Sequence, residues 1–428
     1  MNDRAIGDAR TRTATIPLGV FVGVVLVGAN LRASLTGIGA LLPLIQHDTG
    51  LDSTAAGLIA ALPLLGFAAT SPLVRPAVRM LGGGRLLILA LGVMVVGTAL
   101  RSVPGTVSLF LGTVVLAIGI AVCNVLLPSI VKASVAPAQI GRVTGLYVTV
   151  MGAVAAVSSG IAVPLADILP GGWRSSLAVW AILAVVALIV VVSSRFASTV
   201  PAERGPQASG ASVRVWRSGL AWQVSLFMGL QSIVFYTMIS WLPSIVAASG
   251  TDAGTAGWQL FAFQIAGLAT SSIVPILTRH HRDHRAVAAA ASLLCAVGFA
   301  MLLLDPQAAW IAALLIGFGG GACIVLALSF QTLRAPDAAA AGALAGMAQT
   351  VGYLLAAAAP FVLGAIHDLT QSWTAPLLLL VVLGVLQAVT ALGAGRDRVL
   401  ATDRLTLSGA SSTVAAPTTS TASREGRS

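Results

Sequence analysis

The sequence predicts an all-α membrane protein of 12 transmembrane helices, arranged as two six-helix bundles related by a pseudo-two-fold axis. Three observations carry that prediction. The chain of 428 residues is 57% hydrophobic and 9% charged, its apolar residues gather in long runs, and its two halves repeat each other at a constant spacing. A soluble domain carries about 25% charged residues. With so little polar surface and a mean hydropathy of +0.95, the solvent that suits this chain is a lipid bilayer.

A spanning helix needs roughly 20 mostly apolar residues. Read with Pro, Gly and charge clusters as punctuation, the first half offers spans at 16–46, 54–74, 85–102, 106–131, 140–165 and 174–194. The second half offers 217–247, 255–278, 286–304, 307–332, 339–366 and 374–394. The expected organisation is therefore a cytoplasmic tail at 1–15, a bundle at 16–194, a polar linker at 195–216, a bundle at 217–394 and a disordered cytoplasmic tail at 395–428. The first apolar segment is too long for a signal-peptide core, so it reads as an uncleaved span.

Charge placement tests the count. Arg75, Arg79, Arg85, Lys132, Arg142, Arg195, Arg204, Arg214, Arg217, Arg279, Arg282, Arg285 and Arg334 fall in alternate connections. The intervening ones carry Asp48, Asp52, Asp167, Asp252, Asp305 and Asp368, with Arg101 and Arg174 as exceptions. Positive residues stay on the cytoplasmic side, which puts both termini there, in a plasma (bacterial inner) membrane protein.

The same pattern bears on function class. A net charge of +10 could suit nucleic acid, but the arginines punctuate apolar runs rather than forming a basic face with stacking aromatics, so no nucleic-acid partner is expected. Cys123, Cys295 and Cys323 lie in apolar segments without metal or redox spacing and read as buried thiols. The HHRDHR run at 280–285 reads as a solvated basic turn, and GFGGGAC at 317–323 as close helix packing, since no strand precedes it. Neither an enzyme nor a cofactor is expected.

The repeat has an offset of 200. LLPLI at 41–45 aligns with WLPSI at 241–245, Gly50 with Gly250, Asp52 with Asp252, Gly57 with Gly257, Arg79 with Arg279, Gly119 with Gly319, Cys123 with Cys323 and Trp173 with Trp373. Each half holds an even number of spans, so both enter the membrane in the same orientation. Parallel repeats about an axis along the membrane normal are one plan of secondary transporters, with the substrate site near the midplane.

Twelve spans in two halves, with a basic connection after the second and the eighth, resemble the major facilitator superfamily. Within it, GANLRASLTGIGALLPLI, AALPLLGFAATSPL, GIAVCNVLLPSIVK and GRVTGLYVTVMGAVAA are similar to the cyanate permease and 2-nitroimidazole transporter family. The resemblance covers about residues 16–394, and its sharpest elements are Asn30-Leu31-Arg32, Asn124 with Pro128, and Gly145-Leu146-Tyr147. It departs at SPLVRPAVRMLGGGR, where Arg75 stands near the place of the superfamily's aspartate, and in the absence of an arginine from the fourth span. The resemblance implies a cavity lined by spans one, four, seven and ten, with five, eight and eleven contributing.

Helix rise puts Arg32 near the middle of its span, without an acidic residue in the same run. An arginine at that depth costs at least about 2.5–3.5 kcal/mol. It is always protonated, so its counter-charge is either water and dipoles in an open cavity or an anion that comes and goes. Guanidinium donors recognise planar oxyanions bidentately, and the repeat partner of Arg32 is Ser232, so the cation belongs to one half alone. The expected substrate-binding residues are Arg32, Asn30, Thr36, Asn124, Tyr147, Gln231, Tyr236, Gln349 and Tyr353, with Gln264 a weaker candidate and Thr36 one turn from Arg32 on a shared face. For most of these polar residues, interhelical hydrogen bonding is the competing role.

The expected function is secondary active transport, by alternating access, of a small anion or small polar nitrogen compound, cyanate-like in chemistry. The alternative is export of neutral heteroaromatic drugs such as 2-nitroimidazoles. The partners are a small-molecule substrate and the bilayer, and the chain is expected to act as a monomer. No carboxylate marks the coupling ion. His47 and His367 near span ends read as surface residues.

Overall fold

The computed structural model describes residues 18–135, 139–194, 215–278 and 281–400. The linker and both outermost tail segments fall outside these residues. Among the described residues, 12 helices are long and apolar enough to cross a membrane. They are α1 (Leu18–Thr49), α2 (Ser53–Leu81), α3 (Gly83–Arg101), α4 (Thr106–Ser134), α5 (Ile140–Ile168) and α6 (Trp173–Ser193) in the first half. The second half holds α7 (Gly219–Ala247), α8 (Ala253–Thr278), α9 (Arg285–Leu304), α10 (Ala309–Leu333), α11 (Ala338–Thr370) and α12 (Thr374–Ala394).

Local chemistry sets the ends. Asp52 caps α2 by accepting from the Ala55 N–H, Ser218 caps α7 through Ala221, and Asp337 caps α11 through Ala340. Gly50 (φ 70°) and its repeat partner Gly250 (φ 90°) make the turns after α1 and α7, where a side chain would strain the left-handed backbone. α2 runs past the expected end at residue 74, through Pro72 and Pro76, and stops at Gly82 (φ 79°). α1, at 32 residues, is about 48 Å long at helical rise, longer than a hydrocarbon core of about 30 Å. The termini of odd and even helices define two ends of the molecule, here called the Gly50 end and the Gly82 end.

The sequence repeat returns as a repeat of neighbours. α1 packs on α5 and α6 as α7 packs on α11 and α12, and α3 packs on α4 as α9 packs on α10. The halves meet through the symmetric pairs α2 with α11 and α5 with α8, and through α1 with α7. Two glycines make the symmetric pairs possible. A side chain on Gly57 would collide with the Pro360 carbonyl, and one on Gly257 would lie 3.0 Å from the Ser159 carbonyl and 3.7 Å from that of Gly160. Gly57 and Gly257 are repeat partners, as are Gly160 and Pro360.

Several side chains reinforce the Gly50 end. The Asp368 carboxylate on α11 accepts the Ser53 N–H at 3.0 Å and the Thr54 N–H at 2.6 Å, at the start of α2. Deeper, the Gln264 amide on α8 donates to the Ser159 hydroxyl on α5 at 2.7 Å. The Asp48 carboxylate in the last turn of α1 takes the Arg174 guanidinium at 2.7 Å.

At the Gly82 end, Arg334 is buried and donates to the carbonyls of Ala394 (3.0 Å) and Gly395 (2.9 Å). The Leu400 N–H donates to the Arg334 carbonyl at 2.8 Å, and Leu400 is buried. Residues 395–400, expected as the start of a disordered tail, are thus held against the bundle, because this arginine and the chain at and just after the end of α12 bond each other in both directions. The three cysteines are buried and free.

Candidate functional site

Arg32 lies on the face of α1 that meets α7. Its guanidinium carbon is 4.9 Å from the centre of the Phe235 ring and 5.6 Å from that of Tyr236. Those two rings meet edge to face, 5.2 Å apart. Among the described residues Arg32 makes no ion pair with a carboxylate. Arg32 is half-buried, and a cation on an aromatic face gains about 0.5–2 kcal/mol. The rings orient this guanidinium without neutralising it.

A cleft opens beside Arg32, with about 480 Å³ of atom-free space when its mouth toward solvent is counted. Leu35, Thr36 and Ile38 of α1 line it together with Ile59, Ala60, Pro63 and Leu64 of α2, and Tyr236, Ile239 and Ser240 of α7 close the opposite wall. Arg101 of α3 and Thr113 of α4 complete it. The lining thus holds two arginines, three hydroxyl side chains besides one phenol, and no carboxylate. Such a wall can bind an anion or a polarised planar molecule, and has no proton-carrying acid of its own.

The expected residues separate into groups. Arg32, Thr36 and Tyr236 share the cleft wall. The Thr36 hydroxyl already donates to the Ala155 carbonyl at 2.8 Å, so its lone pairs remain to accept. Tyr353 is half-buried on α11 and, like Tyr236, packs against the apolar cluster that holds Leu31 and Ala357. Tyr147 is buried against α1, where a side chain on Gly28 would touch its ring at 3.2 Å.

Asn30, Gln231, Asn124 and Gln349 lie outside the cleft wall. Asn30 is fully buried and donates to the carbonyls of Leu26 (2.8 Å) and Leu183 (3.2 Å), joining α1 to α6. Two residues of helix turn it about 200° from Arg32. Gln231 is buried in α7 and accepts from Ser232 at 3.4 Å. Asn124 is exposed on α4 with Pro128 one turn on, and Gln349 is half-buried on α11. Gln264 serves the contact with Ser159. His47 is exposed, whereas His367 stacks on Trp373 at 4.3 Å and lies 3.0 Å from the Ser53 hydroxyl.

Sequence reasoning left Arg101 out of the site. Its signal was present as a basic residue in a connection that otherwise favours acids. Ser240 was also missed, although it sits one turn from Tyr236.

Comparison with known proteins bears on the family and the fold. The family described as Major Facilitator Superfamily matches residues 20–360. A 2-nitroimidazole transporter of Escherichia coli (strain K12) is 40% identical over 383 residues, which cover 89% of this chain and 96% of that protein. The cyanate transport protein CynX of the same organism is 26% identical, over 82% of this chain and 90% of that one. Among solved structures, a bacterial homolog of the human lysosomal transporter Spinster, inward-facing and occupied, superposes with a TM-score of 0.73 at 15% identity, covering 89% of this chain and 97% of that one.

Proposed function

The chain belongs to the major facilitator superfamily, and from that premise we propose that it is a secondary transporter of a small anion or small polar nitrogen compound, with Arg32 as the recognising cation. One observation carries this reading. A permanent charge sits between the two halves on the aromatic faces of Phe235 and Tyr236, and among the described residues no carboxylate pairs with it. Cargo bearing an oxyanion or a polarised nitrogen group supplies what the protein omits, through charge-assisted hydrogen bonds. Thr36, Tyr236, Ser240 and Tyr353 surround it with neutral donors and acceptors.

Asn30, Asn124, Tyr147, Gln231 and Gln349 complete the candidate set. Asn30 acts through α1 and α6, which it joins. The relation to a protein named for cyanate transport supports the anion reading.

The transport cycle is alternating access by rocking of the halves. Basic connections gather at the Gly82 end and acidic ones at the Gly50 end, which supports a cytoplasmic Gly82 end and cytoplasmic termini. The half-to-half glycine contacts and the Asp368 and Gln264 bonds then close the outer side.

Uptake of labelled cyanate, nitrate and benzoate into proteoliposomes tests the reading. Saturable uptake by the native protein that Arg32→Ala abolishes, with the variant still monodisperse, is the expected result. Anion uptake untouched by that change would remove Arg32 from recognition. A second reading, export of neutral heteroaromatic drugs, is favoured by the ring cluster of Phe235, Tyr236 and Tyr353 and by the 40% identity to a protein named for 2-nitroimidazole transport. Resistance of cells to 2-nitroimidazole that survives Arg32→Ala, without any anion uptake, selects it.

A further inference from the structure

Arg101 is the last residue of α3, and its side chain is 0% exposed. An arginine at a helix end ordinarily extends its stem so that the charged head reaches water. This one does the opposite. Gly112 on α4 lets the Arg101 backbone approach so closely that an added side chain there would lie 2.6 Å from Arg101 Cα. Helical side chains lean toward the N-terminus, and Arg101 is among the residues that line the same cleft as Arg32, Thr36 and Tyr236.

All three of its nitrogens, Nε, Nη1 and Nη2, are buried without a hydrogen-bond partner. No ion pair among the described residues involves it. The nearby hydroxyls of Thr98 and Thr113 donate to carbonyls of their own helices, Met94 and Leu109. Arg334 shows how this protein treats a buried arginine with a structural task. It is just as enclosed, at 2% exposed, but two backbone carbonyls and the Asp397 carboxylate at 3.9 Å surround it. An unpaired buried charge costs several kcal/mol, so the Arg101 environment is complete only with a ligand of opposite sign.

We propose that Arg101 is a second anion-binding point, in the part of the cleft toward the Gly50 end, which takes a small monovalent anion or the carboxylate or oxyanion group of the cargo. Two arginines line one cleft whose lining holds no acid, which focuses a positive potential on its contents. The inference shares the cavity with the reading above but rests on the burial of Arg101 itself. The test therefore reads Arg101 apart from Arg32.

The full chain, purified in nanodiscs in sodium gluconate at fixed ionic strength, is titrated with nitrate, chloride and benzoate while its melting temperature is followed. Native protein and Arg32→Ala show a saturable rise with a small anion, and Arg101→Met shows none. Because methionine removes an unpaired charge at similar volume, Arg101→Met melts higher than the native protein in gluconate alone. A rise that persists in Arg101→Met, or no anion-specific rise in the native protein, overturns the proposal. Loss of the rise only in Arg32→Ala overturns it while sparing the reading of Arg32.

A transport arm separates the sources. Chloride that competes with cargo marks the point as a cargo subsite, and chloride that is required without competing marks a resident ion. Should Arg101→Met not fold, native crystals soaked in bromide decide. An anomalous peak at the Arg101 guanidinium supports the inference, and its absence overturns it.

Discussion

The guanidinium carbon of Arg32 lies 4.9 Å from the centre of the Phe235 ring, so the permanent cation of one half rests on an aromatic face of the other. In the proposed cycle, rocking the halves apart breaks or re-forms that contact. Phe235→Leu removes the aromatic face and keeps apolar bulk. Cation–π contacts are worth about 0.5–2 kcal/mol, so apparent affinity for an anionic cargo falls by about 2- to 30-fold. Proteoliposome uptake measures it, and an unchanged KM would falsify the contact's role.

Arg32→Lys keeps the charge but loses the planar fork. Uptake of planar oxyanions falls well below that of the native protein and stays above that of Arg32→Ala. Equal activity of the lysine and arginine forms would mean that charge alone is read.

The carboxylate of Asp368 joins α11 to the first turn of α2. A cap of this kind contributes about 1 kcal/mol, so Asp368→Ala moves the inward-to-outward equilibrium by about fivefold toward opening at the Gly50 end. A cysteine placed at Ser240 in a variant lacking Cys123, Cys295 and Cys323 then reacts faster with an impermeant thiol reagent added outside. No change in that rate counts against a latch.

Gly57→Val and Gly257→Val insert side chains where backbones of the opposite half pass. Both variants insert in the membrane but cannot close the Gly50 end. Transport is lost, with the larger effect at Gly57, where the approach is tighter. Native rates in either variant would show that the halves do not meet there during the cycle.

At the Gly82 end, burial and then the charge of Arg334 hold the His284 imidazole below its ordinary pKa. Its ring faces Phe330, and Asp283 beside it, held down at about 2 by Arg285, pulls the other way. A histidine with a depressed folded pKa contributes stability above its unfolded value of about 6.5, lost as pH falls. Melting temperature therefore declines between about pH 7 and 5, and His284→Gln flattens that decline. An equally steep decline in the variant assigns the pH dependence elsewhere.

Hydropathy made the helices legible because a segment that crosses a bilayer must satisfy its backbone internally, and that demand acts on each run of residues separately. The repeat was legible for a related reason. Gly57 and Gly257 repeat because both must let a backbone of the other half pass. Arg32 and Thr36 stood out together through their spacing, and the cleft brings them together. Asn30 did not follow them, since two residues of helix direct it to Leu183.

The sequence by itself determined how many times the chain crosses, the duplication of its halves and the lack of an acidic partner in the run that holds Arg32. Each of these is a property of one segment or of its spacing. Only the tertiary structure decided that Phe235 and Tyr236 support Arg32, that Arg101 turns inward while Arg334 finds carbonyls, and that residues 395–400 dock. Those outcomes depend on which helices cross, at what depth and how closely, and contacts between residues far apart in the chain leave no period in it.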